Sequence, residues 1–106
     1  MGLERQKFID QRTTERTSIL HRTRASTPQG MSVALTLVDI SSRGFMARCE
    51  EEIPRDTLLH VNLPVLGKRT AEVRWSLGGR IGCEFCNPIN VADKSLMLTA
   101  LMILAK

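Results

Sequence analysis

AEVRWSLGGRIGCEF, residues 71–85, reads as two strands and the turn between them. Ala71, Val73, Trp75 and Leu77 alternate with Glu72, Arg74 and Ser76; after Gly78-Gly79 the alternation resumes at Ile81, Cys83 and Phe85. A period of two places alternate side chains on opposite faces of a sheet. Paired glycines accept the positive φ angles of a tight hairpin turn. The segment is therefore a β-hairpin with one face toward a core and one toward water. By this parity Trp75 is expected in the core, the alternative being a surface on which a base stacks.

The same period runs outward from the hairpin. Leu59, Val61, Leu63 and Val65 alternate with His60, Asn62 and Pro64, and Phe45, Ala47 and Cys49 alternate with Met46 and Arg48. Met31 to Val38 is strongly β, and Thr17 to Ser26 carries enough β-branched residues for a strand. Thr27-Pro28-Gln29-Gly30 between them is a turn. About six short strands with regular turn signals predict an antiparallel barrel or sandwich. From Asn90 the pattern changes. Asn90 suits a helix N-cap, Asp93 suits the first turn, and the following residues are good helix formers. The second half, LMLTALMILA, is apolar nearly all round, so the helix needs cover on more than one side. It either plugs a barrel mouth or pairs with a second copy.

The chain has 106 residues, enough for one domain with a modest core. The boundaries read as an arm over 1–16, a β-barrel over 17–88 and a helix over 90–105. With 42% hydrophobic and 25% charged residues it reads as soluble and globular. The formal charge of +4 favours an anionic partner, whether nucleotide, nucleic acid or membrane surface. Aromatics are only 4% and tyrosine is absent, which disfavours a general single-strand binder built on stacking platforms. Cys83 and Cys86 form a CEFC sequence, but Cys49 and two distant histidines supply no second pair of metal ligands. Reduced, partly buried thiols are expected, and with them a cytoplasmic setting. The start, MGLERQKFID, lacks the apolar core of a signal peptide, and the apolar stretch Leu96 to Ala105 is too short to span a bilayer.

Two stretches carry candidate chemistry. RTTER sets Arg12 and Arg16 four residues apart. A guanidinium is planar, permanently charged and donates in a fork that suits phosphate oxygens and the O6/N7 edge of guanine. Alone, the spacing describes any solvated basic face. DISSRG, residues 39–44, sets Asp39 and Ser41 on one side of an extended chain, an acceptor beside a donor-acceptor. Such a pair can meet the amino and imino edge of a guanine. Gly44 allows close approach or a positive φ. The competing reading is an Asx or Ser turn. Asp39 continues the buried parity of Val33, Leu35 and Leu37, so a bend or bulge is expected near Val38.

Taken together these stretches resemble the PilZ family, whose signature is RxxxR followed some way on by (D/N)xSxxG. VRWSLGGRIGCEF, residues 73–85, is similar to that family's VxW, turn, xxGxxF hairpin. The resemblance implies an all-β fold: a six-stranded antiparallel split β-barrel with a C-terminal α-helix and a flexible basic N-terminal arm. It implies a receptor for the bacterial second messenger cyclic di-GMP. Arg12 and Arg16 would hold phosphates and guanine edges, Asp39 and Ser41 would read a guanine, and Gly44 would allow close approach. Arg43, at a variable position of the motif, is added as a helper. Gln11 stands where the family often has a basic residue, which leaves open one ligand molecule or two. Trp75 matches a recurrent position taken as structural. The arm is expected to order on binding ligand.

No enzyme is expected, because His21 and His60 lack a paired nucleophile and Glu50 to Glu52 look like a solvated turn. No metal or cofactor is expected besides the ligand. An unknown effector protein is the expected partner, with a homodimer through the helix as a further expectation. The rivals are a nucleic-acid-binding β-barrel, disfavoured by the few aromatics, and a PilZ-like adaptor that binds no nucleotide.

Overall fold

The computed structural model describes residues 16–104, with side chains as far as Met102. Six strands precede one helix: β1 (Thr17–Ser26), β2 (Ser32–Ile40), β3 (Gly44–Arg48), β4 (Leu58–Leu63), β5 (Gly67–Leu77), β6 (Arg80–Phe85) and α1 (Val91–Leu104). All neighbouring strands are antiparallel, in the order β1-β2-β3-β6-β5-β4, and β4 returns to β1 through Ala25–Val61 and Ser26–His60 to close a barrel. Closure removes the exposed edges that an open sheet of this size would present. The N-terminal arm, and Arg12 with it, lies outside the described residues.

The alternating apolar sets fill the interior. Val33, Leu35 and Leu37 of β2, Phe45 and Ala47 of β3, Leu59, Val61 and Leu63 of β4, Ala71 and Val73 of β5, and Ile81, Cys83 and Phe85 of β6 are all buried. Phe45 and Phe85 meet at a ring-centroid distance of 5.6 Å in a tilted pair. Each such large side chain contributes about 1.5–3 kcal/mol by leaving water.

The parity expected from sequence breaks at two places. Val65 is exposed, because the chain has left β4 and turns through Pro64 to Leu66 with Val65 at φ 70°. Trp75 and Leu77 also lie outside the barrel, 43% and 79% exposed. The cause is a bulge: Val73 pairs with Cys83, yet Trp75 already pairs with Gly82, leaving Arg74 as the extra residue. One inserted residue reverses the faces of everything beyond it. Gly78 and Gly79 then close the hairpin with both φ angles positive, as the sequence predicts.

The helix begins where its cap predicts. Asn90 Oδ1 accepts from the backbone N–H of Asp93 at 2.7 Å. An ion pair of 3.8 Å between Asp93 and Arg69 ties this first turn to β5. Met97 is fully buried in the barrel's core cluster, with Leu98 and Leu101 packed against it. Leu96 and Met102 remain exposed, so the barrel covers one side of the helix only.

Candidate functional site

The end of β2 is irregular on both of its edges. Its register slips against β1 between Ser18 and His21, and against β3 between Leu37 and Asp39. The second slip is the bulge that the parity of Asp39 demands. It frees the carboxylate from the core, and Asp39 accepts a hydrogen bond from Arg16 Nη1 at 2.6 Å through Oδ1. The arginine side chain is 62% exposed and the aspartate 15%. The aspartate is thus positioned by the sheet, and the arginine reaches it from just ahead of β1.

Ser41 starts the turn into β3. Its backbone N–H donates to Gly44 O at 2.8 Å. Its Oγ accepts from the N–H groups of Arg43 and Gly44, both at 3.2 Å. The hydroxyl is buried and holds the Ser41–Gly44 turn. The same turn is stitched to its surroundings, with Phe85 N–H donating to Arg43 O and Ile89 N–H to Ser42 O, both at 2.7 Å. The loop is therefore held by the end of β6 and by the segment leading into α1.

Gly44 has a structural reason of its own. A Cβ there would lie 2.1 Å from the carbonyl oxygen of Cys83, so only glycine lets β3 approach β6 this closely. Gly82 plays a parallel part beneath the tryptophan, since a Cβ there would lie 2.1 Å from Trp75 Nε1. The bulge at Arg74 sets the indole outside and the bare Gly82 gives it a seat.

Arg16, Arg43, Gly44, Trp75 and Gly82 line one shallow pocket of about 220 Å³, with Arg74 and Glu84 at its side. Arg74 is already committed. It spans the cross-strand pair Glu72 and Glu84, at 3.1 Å and 2.9 Å, and its pKa is raised by the Glu84 hydrogen bond and then by the Glu72 charge. Arg16 and Arg43 are the pocket's other exposed cations, and Asp39 lies behind Arg16 as its acceptor. Four of the site residues expected from sequence, Arg16, Ser41, Arg43 and Gly44, meet here, with Asp39 joined through Arg16. Trp75 is the residue that the alternation misassigned.

Cys83 lines the same pocket, but its side chain is buried. Burial, followed by the nearby Cys49, pushes the Cys83 thiol up to about 12, the signature of an unreactive core thiol. Cys86 lies beyond β6 and is exposed. No helix among the described residues is long and apolar enough to cross a membrane. A larger depression of about 590 Å³ surrounds Arg48 and Arg80 and shares no lining residue with the pocket around Arg16.

Known proteins give the same fold. The PilZ domain of CeSA from a cellulose-synthesizing bacterium superposes with a TM-score of 0.61 at 12% identity, covering 88% of this chain and 100% of that one. The PilZ domain of YcgR from Escherichia coli, solved with c-di-GMP, gives 0.57 at 15% identity, covering 87% and 89%. No curated protein matches. The family model described as the PilZ domain matches residues 10–102. Nearly the whole chain falls within that match, and both solved PilZ domains superpose over most of it: the chain belongs to the PilZ domain family.

Proposed function

We propose that this chain is a receptor for cyclic di-GMP that acts by changing its contacts with a partner protein. The observation that carries the reading is the Arg16–Asp39 pair, joining the two motifs at one pocket with Trp75 across it. A cyclic dinucleotide presents phosphates and flat guanines. Its phosphate competes for Arg16 as a fork donor, and Asp39, turned outward by the bulge, accepts from the guanine imino and amino groups. Arg12 would add a second guanidinium from the segment ahead of Arg16. Ser41 and Gly44 serve by shaping the turn that presents Arg43, and the indole of Trp75 offers a stacking face. The reading calls for no catalytic group, metal or further cofactor. The c-di-GMP bound to the YcgR domain supports it by likeness of fold.

Titration calorimetry with cyclic di-GMP, with GTP and a short oligonucleotide as competitors, tests the reading. The parent chain is expected to bind the cyclic dinucleotide selectively. Arg16→Ala is expected to weaken binding by roughly 10- to 150-fold, the worth of one charge-assisted contact of about 1.5–3 kcal/mol. Its melting temperature should fall only slightly, because the arginine end of the pair is exposed. A parent chain that binds no cyclic di-GMP sinks the reading.

The exposed Leu96 and Met102 on α1 favour one further element, a homodimer through the helix. Sedimentation of the parent beside Met102→Glu is the check. A parent that is monomeric at every concentration tested overturns it.

A further inference from the structure

Four arginines from three strands come together on the barrel's outer wall. Arg22 of β1 pairs with Thr36 of β2, Thr36 with Arg48 of β3, and Arg48 with Arg80 of β6. Arg24 lies one step along, opposite Ala34. Strands about 5 Å apart make this a basic row roughly 14 Å long from Arg22 to Arg80. Ala34 and Thr36 are short and form its floor between the arginines of β1 and β3, beside the depression of about 590 Å³. Among the described residues no carboxylate forms an ion pair with Arg22, Arg24, Arg48 or Arg80, whereas Arg16 and Arg69 each have one and Arg74 has three. Arg48 and Arg80 stand directly opposite each other, an arrangement that costs stability when nothing neutralises it. The row does not enter the cyclic di-GMP pocket, which has a different lining.

We propose that this arginine row docks an acidic segment of a partner protein. The proposal gives the partner's chemistry for the receptor reading above and takes its signalling role from that reading. Guanidinium forks fit carboxylates two bonds at a time, and cross-strand spacing sets several of them along one line. The surroundings favour a polypeptide over a phosphate chain. Glu50 and Glu51 line the same depression and would repel an unbroken run of phosphates, while a polypeptide can place a neutral or basic residue there. Leu77, paired with Arg80 and exposed at the end of the row, offers an apolar contact that a peptide side chain can cover.

The test uses the full chain and fluorescence anisotropy. The probe is a labelled peptide of alternating Glu and Ser ending in Leu, beside an oligothymidylate of equal charge. The peptide is expected to bind saturably, more weakly at high salt. Arg48→Glu is expected to weaken it about tenfold or more, and to melt no lower than the parent because the new carboxylate faces Arg80. Cyclic di-GMP binding by Arg48→Glu should match the parent. The proposal is overturned if the parent ignores the peptide, if Arg48→Glu binds it equally well, or if oligothymidylate binds more tightly. It is also overturned if Arg48→Glu loses cyclic di-GMP, which would assign the row to the nucleotide pocket. A parent that binds the peptide and not cyclic di-GMP upholds the surface and removes the receptor reading.

Discussion

β5 and β6 face each other across one hairpin and alternate with the same period, yet only β6 keeps its faces throughout. Ile81, Cys83 and Phe85 are all inside. On β5, Ala71 and Val73 are inside and Trp75 and Leu77 outside, with Arg74 as the extra residue between. The chain has placed its single tryptophan at the surface, over a glycine, beside two exposed arginines. An aromatic ring of that size would add about 3 kcal/mol or more to a core. Forgoing this is a local conflict of the kind expected at functional sites.

The largest effect separates the two close-packed glycines. Gly44→Ala drives a methyl into the Cys83 carbonyl, which belongs to the backbone and cannot step aside. A loss of about 3 kcal/mol is expected in urea unfolding. The atoms nearest the new methyl of Gly82→Ala belong to the Trp75 side chain, which can swing away. It should cost about 1 kcal/mol in stability and weaken cyclic di-GMP more than it weakens the fold. Equal stability losses for the two variants would mean that the indole is as fixed as the backbone, and the contrast between β5 and β6 would fail.

Neighbours on β5 sharpen the contrast further. Val73→Ala empties a fully buried site and is expected to cost about 2 kcal/mol of stability with ligand affinity unchanged. Trp75→Ala should do the reverse, costing about 2 kcal/mol of binding through lost stacking and at most about 1 kcal/mol of stability. With one tryptophan in the chain, fluorescence reads this directly. The emission should be that of a hydrated indole, open to iodide quenching and shielded by cyclic di-GMP. A blue-shifted, unquenchable emission would return Trp75 to the core.

The smallest effect at neutral pH concerns the thiols of the CEFC stretch. Cys86 should react readily with a thiol reagent while Cys83, behind the sheet, does not. The folded Cys83 pKa lies above its ordinary value of 9.0, at about 12. The stability that the protonated thiol contributes is therefore complete below about pH 9 and lost as pH rises toward 12. Cys83→Ala should flatten that alkaline decline, which melts across the range will show.

The hairpin at 71–85, the turn at 27–30 and the Asn90 cap were legible in the sequence because each rests on local physics. Alternation reports faces, glycine pairs report positive φ, and a short polar side chain ahead of an apolar run reports a helix start. Even the bulge near Val38 followed from the cost of burying the charge of Asp39. The bulge at Arg74 carried no such cost, since Trp75 and Leu77 would have been welcome inside, and so nothing local announced it. Only the pairing of β5 with β6, with Gly82 opposite Trp75, decided which face the indole took. Gly44 looked like a ligand contact, and the folded chain shows a second need for it against a carbonyl thirty-nine residues away. The arginine row is the same lesson at longer range: positions 22, 48 and 80 share a line because of strand register, a property of paired strands that no single strand contains.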